Sequence, residues 1–227
     1  MTDLAQPIKG CIFNLDGVIV DTGKYHYQAW RRLANQMGFD FSREQNESLK
    51  GYSRMASLEK ILEWGAIYMP EAEKMHWADV KNNWYVELIS RMKPGEILPG
   101  VLYFLRQVRE SGLKTALSSA SQNALPVLRS IQLESFFDVI LDGNTVKKVK
   151  PDPQCFLMAA QALELSPAEC LVFEDAPSGI QAALFGGFTV VGVGRPEYLP
   201  KAHVTISGFE NLNINTLLAQ LMVRETS

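Results

Sequence analysis

The sequence predicts an α/β fold, a parallel sheet flanked by helices with a helical domain inserted after the first strand. Three observations carry this reading. From Pro99 onward, short apolar runs alternate with amphipathic stretches, the pattern of strand–helix units in a parallel sheet. Residues 23–91 carry only helical periodicity. A length of 227 residues leaves room for one full domain and a smaller one.

In chain order, residues 9–13 form the first predicted strand, with no crossover helix before the helical region begins. Trp30, Leu33, Ala34 and Met37 recur at helical steps before Gly38, a C-terminal stop. Leu58, Ile61 and Leu62 repeat the signal before Gly65, and Trp77, Val80, Trp84 and Leu88 share a third stripe. Three helices are therefore expected in the insert. Val101, Phe104, Leu105 and Val108 mark a helix ending at Gly112, followed by a strand at 113–117. Asn123 is the expected N-cap of a helix carrying Leu125, Leu128 and Ile131, with Pro126 tolerated in its first turn. A strand at 136–141, a helix through Phe156, Leu157, Ala160 and Leu163, and a strand at 170–173 come next. A helix at 180–185 closed by Gly186 and Gly187, then a strand at 188–193, complete the series. The expected domains are 1–22 with 93–227 as the α/β core and 23–92 as the helical insert. Linkers are placed near 21–23 and 92–99.

Composition excludes several classes. Lys and Arg total 22 against 25 Asp and Glu, a net charge of −3 with a pI near 5.7, so no basic surface for nucleic acid is expected. Apolar residues at 47% and charged residues at 21% do not suit a disordered chain. Apolar runs are strand-length, short of the ~20 residues of a membrane span. The N-terminal segment lacks a basic start followed by an apolar run, so a cytoplasmic protein is expected. Cys11, Cys155 and Cys170 are odd in number, without metal-ligand spacing, and read as reduced and buried. Trp64, Trp77 and Trp84 read as packing residues, and His76 and His203 as surface residues.

Open parallel sheets bind ligands beyond the carboxyl ends of their strands. The first strand ends in Asn14, Leu15, Asp16 and Gly17, the 113–117 strand in Ser118 to Asn123, and the 170–173 strand in Glu174 and Asp175. The loop at 146–153 adds Lys147, Lys148 and Lys150 ahead of two prolines. Crowded carboxylates repel one another unless a cation lies between them, and oxygen ligands of this kind suit Mg²⁺. Hydroxyls, helix N–H groups and a lysine suit a phosphate. Together they point to phosphoryl transfer. Singly, each has a plain alternative: Asp16-Gly17 as a turn, Ser119 and Ser121 as caps, Glu174-Asp175 as the favourable end of a helix. Their shared position after successive strands distinguishes the readings.

Four ordered segments then resemble the motifs of the haloacid dehalogenase superfamily. They are Phe13-Asn14-Leu15-Asp16-Gly17-Val18 with Asp21-Thr22, Ser119 after its strand, Lys150-Pro151-Asp152-Pro153, and Phe173 to Ile180. His26 and Trp30, the stretch from Asn46 to Arg54, and Gly192 to Glu197 narrow the likeness to phosphosugar mutases of that superfamily. The resemblance implies a Rossmann-like core with a helical cap that closes over the crevice. It implies Mg²⁺-dependent interconversion of β-glucose 1-phosphate and glucose 6-phosphate through a bound 1,6-bisphosphate. A phosphosugar ligand, no nucleic-acid or membrane partner, and a monomer are expected with it.

By the same resemblance, Asn14, Asp16, Ser119 and Lys150 occupy catalytic positions, with Asp16 as general acid and base and Ser119 and Lys150 holding the transferring group. Asn14, Asp16, Glu174 and Asp175 stand at the metal site. His26, Trp30, Lys50, Gly51, Arg54, Ser57, Lys81, Ala120, Ser121 and Asn123 stand at substrate-binding positions. Gln122 differs from the lysine common there.

The main departure is Asn14, where the resemblance places a nucleophilic aspartate. An amide forms no stable phosphoryl adduct under mild conditions, so covalent turnover is expected to collapse. An amide oxygen can still meet a cation. Losing one negative charge beside a phosphate also removes a repulsion of about 4 kcal/mol for charges about 4 Å apart at an effective dielectric near 20. Unproductive ligand binding follows. Asn14 fits either a substitution in an otherwise normal mutase or a native residue in a non-catalytic phosphosugar binder. A sugar phosphatase or pyrophosphatase of the same superfamily is the other reading.

Overall fold

The computed structural model describes residues 7–49 and 52–224. The chain divides into two compact units, one running up to Asp21 and resuming at Lys93, the other spanning Thr22–Met92.

The first unit is built on six parallel strands: β1 (Gly10–Phe13), β2 (Lys114–Ser118), β3 (Val139–Leu141), β4 (Cys170–Glu174), β5 (Thr189–Val193) and β6 (Val204–Ile206), in the order β3-β2-β1-β4-β5-β6. β1 lies at the centre, with Phe13 opposite Leu117 on one side and Phe173 on the other. Every residue of β1 and β4 is buried, which is why both read as continuous apolar runs instead of alternating ones.

The two sheet faces carry different cores. Ile12, Ala116, Val172 and Val190 pack with Phe156 and Ile180, which belong to α7 (Gln154–Ala162) and α8 (Pro177–Phe185). On the opposite face Phe13 stacks on Phe173 with centroids 4.6 Å apart. Phe104 and Phe209 meet the Phe173 ring at 5.4 and 5.7 Å, each such pair adding about 0.5–1.5 kcal/mol beyond area burial. Phe104 lies on α5 (Val101–Glu110). This double cover buries the sheet interior and leaves its carboxyl edge to loops.

Among the described residues, the helical unit contains four helices, not three: α1 (Gly23–Gln36), α2 (Arg43–Ser48), α3 (Arg54–Trp64) and α4 (Glu71–Ile89). α2, with sequence REQNES, has no apolar period to read. A capping box holds its start: the Ser42 hydroxyl accepts from the Gln45 N–H at 3.2 Å, and the Gln45 side chain accepts from the Ser42 N–H at 2.8 Å. The expected stripe on α4 is displaced by one residue. Its fully buried positions are Ala78, Lys81, Tyr85 and Ile89, while Trp77, Val80, Trp84 and Leu88 are half-buried. A lysine at the centre of that stripe hides it from a hydrophobicity count.

Strand boundaries shift by one to three residues; the 136–141 strand starts at Val139 because Glu134–Phe136 is a 3₁₀ turn. β6 and α9 (Ile214–Arg224) lie beyond the last predicted element. Leu157, one of the apolar markers of its helix, is exposed. The three cysteines are free and buried. No helix among the described residues is long and apolar enough to cross a membrane.

Candidate active site

The central strands position the site. One residue past β1, the Asn14 N–H donates to the Phe173 carbonyl at 3.0 Å, so the β1–β4 pairing carries Asn14 to the sheet edge beside Glu174. The chain then turns at Gly17, with φ of +73°, and the Gly17 N–H donates to the Val20 carbonyl at 2.8 Å. A Cβ at Gly17 would run into the Asp175 carboxylate. Glycine is required there both by the left-handed backbone and by the approach of Asp175.

Glu174 is the hub. It is fully buried at the end of β4. One carboxylate oxygen pairs with the Lys150 ammonium. The other accepts from the N–H groups of Asp175 and Ala176 at 2.7 and 3.1 Å. A Cβ at Gly179, inside α8, would overlap this carboxylate, so the first turn of α8 closes directly over it. With both oxygens engaged by the chain, Glu174 anchors its neighbours and presents no open face to a ligand.

Lys150 enters from the loop between β3 and α7, where the Lys150–Pro151 peptide is cis. The Gln154 side-chain oxygen gathers that loop by accepting from the N–H groups of Lys147 and Lys148 at 3.0 and 2.8 Å. Lys147 and Lys148 are exposed, whereas the Lys150 side chain is 12% exposed. Burial is the largest influence and lowers the Lys150 ammonium, but the charge and hydrogen bond of Glu174 together with Cys155 and Asp175 outweigh it, and the ammonium sits above its ordinary value. Burial, and then the negative charge of Glu174, push the Asp175 carboxyl well above the usual carboxylate range.

Asn14 lies between these groups. Its Oδ1 accepts from Lys150 Nζ at 3.3 Å. Its Nδ2 donates to the Asp16 carbonyl at 2.9 Å, to Asp175 Oδ1 at 3.1 Å and, more weakly, to Glu174 Oε2 at 3.4 Å. Asp16 thus contributes its backbone oxygen to the cluster.

Ser119 is buried one residue past β2, its N–H donating to the Leu141 carbonyl at 3.0 Å. The hydroxyls of Ser119 and Ser121 accept from the N–H groups of Ser121 and Asn123 at 3.1 and 3.2 Å. These local bonds lead the chain into α6 (Ala124–Ser130). Asn123 stands at the N-cap position but its side chain makes no capping bond; Ala120 is exposed.

The sequence-predicted residues of the helical unit form a second cluster. Lys81 Nζ lies 2.9 Å from His26 Nδ1, 4.2 Å from the Trp30 ring centre and 5.0 Å from that of Tyr85. Burial, then the charges of Lys81 and Arg54, lower His26 well below its ordinary value; burial and then Arg54 do the same to Lys81. Arg54 pairs with Asp79 at 3.7 Å, and Ser57 is buried. Lys50 and Gly51 lie outside the described residues. Tyr85, stacked on His26 at 4.1 Å, is absent from the sequence-predicted set; its spacing of four from Lys81 was the available signal.

The oxygen set of Asp16, Asp175 and Asn14 suits a hard cation such as Mg²⁺ in type. In the conformation described, however, Asn14 turns its amide nitrogen toward the other oxygens. Among the described residues, no group of three or more His, Cys, Asp or Glu side chains is placed to hold a metal ion.

A parallel sheet whose central strand tips bring together an Asn-x-Asp segment, a buried lysine and an acidic pair defines an α/β protein with a polar cluster at its carboxyl edge, where such sheets bind ligands. Residues 11–193 match the haloacid dehalogenase-like hydrolase family, and the chain belongs to it. It is 41% identical over 212 residues to β-phosphoglucomutase of Bacillus subtilis, covering 92% of this chain and 94% of that protein. A phosphorylated carbohydrates phosphatase of Thermotoga maritima is 30% identical over 79% of this chain and 82% of its own length. The crystal structure of β-phosphoglucomutase from Clostridium difficile superimposes with a TM-score of 0.89 at 42% identity, covering 97% of this chain and all of that one.

Proposed function

We propose that the chain has the phosphosugar site of a β-phosphoglucomutase-type phosphotransferase, with the covalent step disabled at Asn14. The observation that carries this reading is the buried Lys150 ammonium, held between Glu174 and the Asn14 amide oxygen. A cation fixed at that edge is placed to take a phosphoryl oxygen next to position 14. The relatedness to β-phosphoglucomutases along nearly the full chain supports the choice of substrate class.

In this reading Lys150 and the Ser119 hydroxyl hold the phosphoryl group that would react. The Asp16 carboxyl gives a proton to the leaving sugar oxygen and takes one from the attacking hydroxyl. By family likeness, Arg54, Lys81 and His26, with Lys50, Trp30, Gly51 and Ser57, are assigned to binding the phosphate that is not reacting. Ala120, Ser121 and Asn123 offer backbone and hydroxyl groups to the same ligand. Mg²⁺, held by Asp16 and Asp175 and reached by the Asn14 amide oxygen only if that amide turns over, would supply charge neutralisation at the phosphoryl oxygens. Asn14 cannot accept the phosphoryl group, so the chain binds the phosphosugar and turns over slowly or not at all.

The test is an assay of the chain and of Asn14→Asp with β-glucose 1-phosphate, Mg²⁺ and a trace of the 1,6-bisphosphate. Asn14→Asp is expected to form glucose 6-phosphate at least about 10⁴ times faster than the chain itself, the scale on which nucleophile losses act. Free phosphate as the main product would assign the site to a phosphatase instead.

A further inference from the structure

The orientation of the Asn14 amide is dictated by its surroundings. Its Oδ1 faces Lys150, which can only donate, while Nδ2 faces the Asp16 carbonyl, Glu174 and Asp175, which accept. Turned over, the amide would set its oxygen against three oxygens and its N–H groups against an ammonium. A carboxylate at the same position has no such polarity: one oxygen could accept from Lys150 while the other faced a cation.

We propose that the Asn14 side-chain amide is the built-in occupant of the cation position, its N–H groups serving the Asp16 and Asp175 oxygens that a divalent cation would otherwise bring together. Cation binding and this orientation exclude one another. For its own oxygen to reach a cation, Asn14 must turn over and give up the contacts to Lys150, Asp16 and Asp175. The cluster is therefore complete without metal, which an aspartate at position 14 would not permit: it would add a carboxylate beside Glu174 and the Asp175 carboxyl, with Lys150 as the ammonium among the described residues that faces them. This inference depends on the amide and its partners alone and stands whichever phosphorylated substrate the protein takes.

Thermal unfolding of the chain and of Asn14→Asp, each titrated with MgCl₂ after EDTA treatment, tests it without any activity measurement. Asn14→Asp is expected to melt lower than the chain in EDTA and to rise with Mg²⁺. The chain is expected to show an apparent Mg²⁺ affinity at least about tenfold weaker, a difference of about 1.4 kcal/mol in binding free energy. Equal affinities, or no response from either protein, overturns the proposal. Should Asn14→Asp fail to fold, the parent chain decides by itself: the ¹H–¹⁵N resonances of the Asn14 side-chain amide are expected to stay in place as Mg²⁺ is added. Their displacement at Mg²⁺ concentrations that leave other side-chain amides unmoved overturns the proposal.

Discussion

Lys81 Nζ stands 2.9 Å from His26 Nδ1 inside the helical unit, so two basic groups share one proton-bearing contact with an aromatic wall on either side. Lys81 is only 2% exposed. With Lys81 protonated, its ammonium donates to Nδ1 and the imidazole hydrogen then lies on Nε2; with Lys81 neutral the roles reverse. The pair keeps its polar atoms satisfied without a carboxylate, provided His26 stays neutral.

A pH dependence follows from that neutrality. Burial, Lys81 and Arg54 lower His26 in the folded state, so below its ordinary value near 6.5 the unfolded chain takes up a proton that the folded one refuses. Stability is then lost as pH falls through that range. Among the described residues, Lys81, Arg54 and the Tyr85 ring face His26, and none of them is a carboxylate. Melting temperatures measured from about pH 7 to about pH 5 are expected to fall more steeply for the chain than for His26→Gln. Parallel curves would show that another group is responsible.

Gly179 holds Glu174 in place by having no side chain. Helix propensity alone favours Gly179→Ala by about 1 kcal/mol. The new methyl group, however, would overlap the Glu174 carboxylate, and overpacking of this kind costs about 1–3 kcal/mol. The substitution is expected to destabilise the α/β unit in urea and to dislodge Glu174 from Lys150. A gain in stability would mean that the carboxylate moves aside freely.

The Lys150–Glu174 pair is buried on both sides, and removing one member leaves the other charge uncompensated. Lys150→Met is expected to cost about 3–5 kcal/mol in urea unfolding. Adding Glu174→Gln to it is expected to recover part of that loss, because no charge then remains unpaired in the pair. Additive losses in the double-mutant cycle would show that the two residues act independently.

The polar tips after β1, β2 and β4 were legible because buried parallel strands are nearly pure apolar runs, so the first polar residue after each run stands out. Asn14 against Glu174, and Phe13 against Phe173, follow from that pattern once the strands pair. α2 escaped because its stability rests on a local cap and not on an apolar face. Lys81 entered the predicted set through family likeness, but its burial was invisible, since only the arrangement of Trp30, Tyr85 and His26 makes an ammonium at home there.

By itself, then, the sequence determined the α/β class, the order of the central elements and the presence of an amide, Asn14, at the tip of the first strand. These depend on residue type and on short-range period. Only the tertiary structure decided which way that amide points, that Asp16 offers its carbonyl to it, that Glu174 spends both oxygens on the chain, and that Gly179 leaves room for it. Some of these join groups far apart along the chain, as Lys150 does with Asn14 and Glu174; the others lie within a few residues and are choices of orientation. Such choices are made by the donors and acceptors that folding brings within about 3 Å, the range over which hydrogen bonds act.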